Sequence, residues 1–159
     1  MSAATEPAAV TRFKEAHSAA GGTGRVVILP DSVHTAALAA EALGCPVGAI
    51  ANSLLFDTGG RPALILTSGA HRVDTARTAE RIGVDELSRA TPDFVRQHTG
   101  QVIGGVSPLG HPAPVPAWLD VDLRQYAEIW AAAGHPAAVF ATTYDELLRM
   151  TGATEVVVT

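Results

Sequence analysis

Apolar and polar positions along the chain change their period several times, and each change marks an element. Thr5, with Pro7 close behind, opens a helix that runs to about Ala20, where Gly21-Gly22 stops it. Arg25-Val-Val-Ile-Leu29 is a short β-branched run ending at Pro30 and reads as a strand. The Ala-rich stretch Thr35 to Leu43 predicts a helix closed by Gly44. Pro46 to Phe56 is long, apolar and alternating enough to be a buried strand. Asp57-Thr-Gly-Gly60 turns it back into Ala63 to Thr67, so the pair reads as a hairpin.

The second half is punctuated more heavily. Asp74 caps a helix that ends at Gly83, and Thr91-Pro92-Asp93 starts another that ends at Gly100. Val102-Ile-Gly-Gly-Val-Ser-Pro-Leu-Gly-His111 then opens like a buried strand and becomes a glycine-rich turn. Pro112, Pro114 and Pro116 impose an extended crossing. Residues 119–133 fit two patterns: helical propensity throughout, and an alternation of Tyr126, Glu128 and Trp130. Gly134-His135-Pro136 is a turn and Ala138 to Ala141 a strand. Thr143 with Glu146 forms a capping box for a last helix ending at Gly152, and Glu155 to Val158 suits a terminal strand. Residues 1 to 5 read as frayed. Strands and helices mix without strict alternation, which predicts an α+β fold rather than a doubly wound sheet. With neither an internal repeat nor a linker, residues 1–159 read as a single domain.

Composition narrows the function classes. The 159 residues are 47% hydrophobic and 17% charged, enough to bury a core unaided. No apolar run reaches the roughly 18 residues of a membrane helix, and MSAATEPAAV lacks the basic start and apolar core of a secretory signal. A cytoplasmic protein is expected. The single Cys45 excludes an internal disulfide and a multi-cysteine zinc site. The net charge is −5, with Lys14 the only lysine. Any nucleic-acid contact must therefore come from a local arginine patch rather than a general field.

Candidate chemistry thins out on inspection. Gly105-Val-Ser107-Pro-Leu-Gly110 misses the nucleophile-elbow spacing, and Pro108 has no N–H to offer an oxyanion, so Ser107 is not read as a nucleophile. The histidines at 17, 34, 71, 98, 111 and 135 show no short paired spacing, and no metal is expected. Gly21-Gly-Thr-Gly24 precedes a strand, whereas a phosphate-gripping loop precedes a helix. Gly104 and Gly105 remain. They can bring main-chain amides close to a carbonyl, or simply form a bulge at the edge of a barrel.

Taken together, Ala51-Asn-Ser-Leu-Leu-Phe56, Ser68-Gly-Ala-His-Arg-Val-Asp74, Thr99-Gly-Gln-Val-Ile-Gly-Gly-Val-Ser-Pro-Leu-Gly-His111, Gly134-His135 and Leu147-Leu-Arg-Met-Thr-Gly-Ala153 make a specific ordered set. Over residues 25–153 the chain resembles the YbaK/EbsC family of aminoacyl-tRNA deacylases, related to the editing insertion domain of bacterial prolyl-tRNA synthetases. The resemblance implies a mixed, mostly antiparallel barrel-like sheet flanked by helices, with a hairpin from about Tyr126 to Ala141 turning at Gly134-His135. It implies hydrolysis of the ester between a wrong amino acid and the 3′ end of tRNA, with tRNA for proline the best-known case. Water attacks with help from a ribose hydroxyl, and no cofactor takes part. The partners implied are mischarged tRNA through its acceptor end, and an aminoacyl-tRNA synthetase. Carried onto this chain, Gly105 polarises the carbonyl, Asn52 orients the substrate and His135 lines the pocket or positions water. Ser53, Arg72, Gly104, Ser107 and Pro108 contact the substrate.

One position departs from the family pattern. The family's lysine before Ser-Leu is Asn52 here. Asparagine hydrogen-bonds but carries no charge, and losing a charge-assisted bond costs about 1.5–3 kcal/mol, or one to two orders of magnitude in binding. Arg72 can substitute. The alternative is a non-catalytic module that binds an aminoacyl- or nucleotide-like ligand.

Overall fold

The computed structural model describes residues 6–30 and 35–159. The expected cap at Thr5, the frayed start and His34 lie outside the described residues. Helix α1 (Ala8–Ala19) begins after Pro7, which makes no side-chain cap bond. Four further helices start on the side chains the sequence marks. Thr35 accepts from Leu38 N–H for α2 (Ala36–Leu43), Asp74 from Arg77 N–H for α3 (Thr75–Ile82), Thr91 from Phe94 N–H for α4 (Pro92–Thr99) and Thr143 from Glu146 N–H for α5 (Tyr144–Thr151). Gly44, Gly83, Gly100 and Gly152 close them in the left-handed conformation. The capping box at Thr143 is only half formed. The Glu146 carboxylate accepts from Thr142 Oγ1 and Thr23 Oγ1, each at 2.8 Å, and so ties α5 to the segment before the first strand.

The strands are β1 (Val26–Ile28), β2 (Ile50–Thr58), β3 (Arg61–Ser68), β4 (Ser88–Arg89), β5 (Ala117–Asp120), β6 (Ile129–His135), β7 (Ala138–Thr142) and β8 (Thr154–Val156). They form one sheet in the order β1-β7-β6-β2-β3-β5-β8, with β4 added to β2. Four of the seven pairings are antiparallel, the expected mixed and mostly antiparallel α+β sheet. The β2–β3 hairpin is its spine, in register from Ala51 opposite Ser68 to Thr58 opposite Arg61. Phe13 of α1, Leu64 and Leu66 of β3, Leu119, Ile129 and Phe140 are fully buried and knit α1 to the sheet.

Several expectations are corrected. A 3-10 turn, Val47–Ala49, occupies the start of the stretch read as strand, so β2 begins at Ile50. Val102 and Ile103 are not buried strand. They lie in an irregular loop at 45% and 55% exposure. Residues 119–133 combine the end of β5, a 3-10 turn (Val121–Gln125) started by Asp120, and β6. The hairpin is present, but its turn is Pro136-Ala137, while Gly134 and His135 belong to β6. Gly134 sits at a register shift with φ of 98°. A Cβ there would come within 2.7 Å of Ala9 O, so its absence lets α1 lie directly on β6.

Candidate functional site

The two edges of β2 are used differently. One edge carries β3 along the whole strand. On the other, β6 pairs only with Ile50 and Ala51, and β4 only with Phe56 and Asp57. Residues 52–55 between them have no strand partner on that edge among the described residues. A cavity of about 850 Å³ occupies the gap, walled by this part of β2, by Ala131 and Ala132 of β6, and by Leu87, Arg89 and Ala90 around β4. It is large enough for a drug-sized ligand, and its wall is mainly apolar.

Four of the residues singled out from the sequence meet in this wall: Asn52, Ser53, Arg72 and Gly104. Ser53 Oγ is buried and has no hydrogen-bond partner among the described residues. Such a hydroxyl costs about 1–3 kcal/mol unless something in the cavity bonds to it. Gly104 has φ of 88°, and a Cβ there would meet nothing within 4 Å. It is glycine for backbone conformation, and open space lies beside it.

The other four are placed elsewhere. Gly105 N–H donates to Val102 O at 3.0 Å, and a Cβ on Gly105 would sit 2.7 Å from Pro136 N and Cδ. The expectation that this amide faces an ester carbonyl is corrected: it closes a turn, and the missing side chain lets the loop dock on the β6–β7 hairpin. Ser107 is fully buried. Its Oγ accepts from Gln101 Nε2 at 2.8 Å and donates to Leu109 O at 2.6 Å, while its N–H donates to Gln101 Oε1 at 2.8 Å. It therefore pins the loop and does not reach the cavity. Pro108 lines a separate, smaller hollow of about 280 Å³ beside Met150. His135 Nδ1 accepts from Ala137 N–H at 3.0 Å, so the ring serves its own turn, and the cavity wall is reached by Pro136 instead.

His111, the last residue of the loop, donates from Nε2 to Ser107 O at 2.8 Å. Burial lowers its pKa below the ordinary histidine value, and the bond to Ser107 only partly offsets this. Burial thus favours the neutral ring, which serves as part of the loop's scaffold.

Sequence reasoning missed other wall residues. Arg89 lies in the two-residue strand β4, too short for any periodic signal, and Thr75, Ile103 and Trp130 also reach the cavity. Arg72 and Arg89 are the wall's only charged side chains; no carboxylate, histidine, cysteine or lysine lines it among the described residues.

His71, Asp120 and Asp122 offer three ligand atoms within 4.8 Å of one another and are, among the described residues, those that could hold a metal ion. Here they bond to each other, His71 Nδ1 to Asp120 Oδ2 and Nε2 to Asp122 Oδ2, both at 2.8 Å. Asp120 also accepts from Ser68 N–H at 3.0 Å. The cluster thus anchors the start of the segment that carries Arg72 to the cavity.

The comparisons with known proteins agree with this architecture. Residues 30–150 match the family model described as the aminoacyl-tRNA editing domain. The chain is 31% identical over 110 residues to YwhH of Bacillus subtilis, an uncharacterised protein, covering 69% of each. It is 30% identical over 113 residues to the proline–tRNA ligase of Trichlorobacter lovleyi, covering 68% of this chain but 19% of that enzyme. Among solved structures, a candidate trans-editing enzyme for prolyl tRNA synthetase superposes with a TM-score of 0.89 at 43% identity, covering 96% of this chain and 98% of that one. A hypothetical protein, APE2540, superposes with a TM-score of 0.83 at 27% identity over 92% of this chain and 98% of that one. The chain belongs to the aminoacyl-tRNA editing domain family.

Proposed function

We propose that this protein hydrolyses the ester of a mischarged aminoacyl-tRNA, acting in trans and with tRNA for proline as the first candidate. The observation that carries the reading is the cavity beside the unpaired edge of β2, in a chain of the editing family. A free strand edge presents main-chain N–H and C=O groups in alternation. Such groups suit the carbonyl and the ammonium of an aminoacyl end, and among the described residues the wall has no carboxylate to pair with that ammonium.

Water is the nucleophile. Its oxygen bonds to the ester carbon, the bond from that carbon to the ribose oxygen breaks, and the ribose oxygen takes up the proton. Main-chain donors at residues 52–55 and Gly104 stabilise the carbonyl oxygen as it becomes an anion. Asn52 and Ser53 orient the acyl group by hydrogen bonds. The proton moves through water and the neighbouring ribose hydroxyl, because no side chain in the described wall is placed as a general base. His135 and Ser107 support this site through the turn and the loop rather than by contact with substrate. The substrate places this activity in the cytoplasm, where aminoacyl-tRNA is made; no helix among the described residues is long and apolar enough to cross a membrane.

The test is deacylation of a panel of mischarged tRNAs by the pure protein at micromolar concentration. At least one pair should be cleared well above buffer hydrolysis; no clearance of any pair defeats the proposal. The second reading, a binding module without turnover, rests on Asn52. It is favoured if the wild type binds an aminoacyl-adenosine amide but only Asn52→Lys cleaves the ester.

A further inference from the structure

We infer that Arg89, acting with Arg72, forms an anion clamp at the mouth of the cavity that takes the phosphodiester 5′ to the terminal adenosine. The inference rests on the editing reading and assigns the charge that Asn52 does not supply. Arg89 stands directly opposite Phe56 across the β2–β4 pair. Directly opposed residues project to the same side of a sheet, and Phe56 shares its side with Leu54 and Asn52 by strand alternation. Arg89 therefore emerges on the face of β2 that carries Asn52, and it lines the same cavity.

Arg72 approaches from the segment after β3, held at its base by the Asp120 carboxylate. Both arginines are exposed, and neither forms an ion pair or hydrogen bond among the described residues. Arg81, Arg124 and Arg149 are by contrast engaged with main-chain carbonyls or with carboxylates. In a chain of net charge −5, two guanidinium groups, unpaired among the described residues, share one cavity wall in which no described residue is an acid. Guanidinium is the side chain best matched to a phosphate oxygen pair, and it stays charged at any working pH. Thr75, first residue of α3, lines the same wall and adds a hydroxyl donor.

The test compares two non-hydrolysable probes by calorimetry: an adenosine carrying an amide-linked alanyl, cysteinyl or threonyl group, and the same compounds extended to the dinucleotide cytidylyl-adenosine. The phosphodiester should tighten binding by roughly tenfold or more in the wild type. Arg89→Gln and Arg72→Gln should each remove most of that gain. Each should also lower the slope of log affinity against log salt by about one. Arg12→Gln, an exposed arginine on α1 away from the cavity, should change neither. Equal binding of the two probes, or an undiminished gain in Arg89→Gln, overturns the clamp and leaves the editing pocket standing. If neither probe binds in any aminoacyl form, the pocket assignment and the clamp fall together.

Discussion

Single residues in this protein divide between those that face the cavity and those that build its frame, and substitutions separate them. Asn52→Lys adds a positive charge beside the proposed position of the aminoacyl end. It should raise kcat/KM for deacylation by roughly 10- to 100-fold, the worth of one charge-assisted hydrogen bond. Ser107→Ala removes two hydrogen bonds inside the loop. It should lower stability by about 1–3 kcal/mol in urea unfolding while the folded fraction still hydrolyses ester. Full loss of activity in a folded Ser107→Ala protein would show that turnover, and not stability alone, depends on this serine. Gly105→Ala forces a Cβ to within 3.0 Å of the His135–Pro136 backbone and should cost about 1–3 kcal/mol through overpacking. Which glycine serves conformation and which serves close approach was not legible in the sequence. Gly104 and Gly105 look alike there, and the difference lies in Pro136, which is remote in sequence.

At the scale of elements, the sequence was most informative where the signal is local. The four capped helices end at Gly44, Gly83, Gly100 and Gly152 as their punctuation predicts, because a cap and a left-handed glycine need only neighbouring residues. β4 and β5 were missed because two- and four-residue strands exist only through their partners β2 and β3. The shift of the hairpin turn from Gly134-His135 to Pro136-Ala137 has a similar cause: Gly134 is used to admit α1, a tertiary demand. The loop from Gln101 to His111 also carries a pH prediction. Burial lowers the His111 pKa, so the unfolded chain binds more protons than the folded one. Its contribution to stability is present above the ordinary histidine value of about 6.5 and is lost as pH falls through the depressed folded value. The thermal midpoint should therefore drop on acidification below about pH 6.5, and His111→Gln should flatten that part of the profile. An unchanged profile in the variant would remove His111 as the cause.

For the whole molecule, the sheet itself makes the site. β6 and β4 each hold one end of β2 and leave its middle open, so the cavity follows from topology rather than from a motif. The sequence resemblance named the family and four of the wall residues, but this gap depends on pairings between strands far apart in the chain. The same architecture sets how the proposed reaction should respond to pH. With no titrating side chain other than arginine in the described wall, deacylation should rise steadily with pH instead of following a bell, read from single-turnover rates between about pH 5.5 and 8.5. A bell-shaped profile would require an acid–base side chain beyond those of the described wall.

The claim beneath all of this is that the aminoacyl end lies against the open middle of β2. Backbone amide shifts recorded by NMR while titrating an aminoacyl-adenosine amide test it most directly. The largest changes should fall on residues 52–55 and Gly104, with smaller ones at Arg72 and Arg89. Changes centred on the hollow from Pro108 to Val115, or none at saturating ligand, would contradict it.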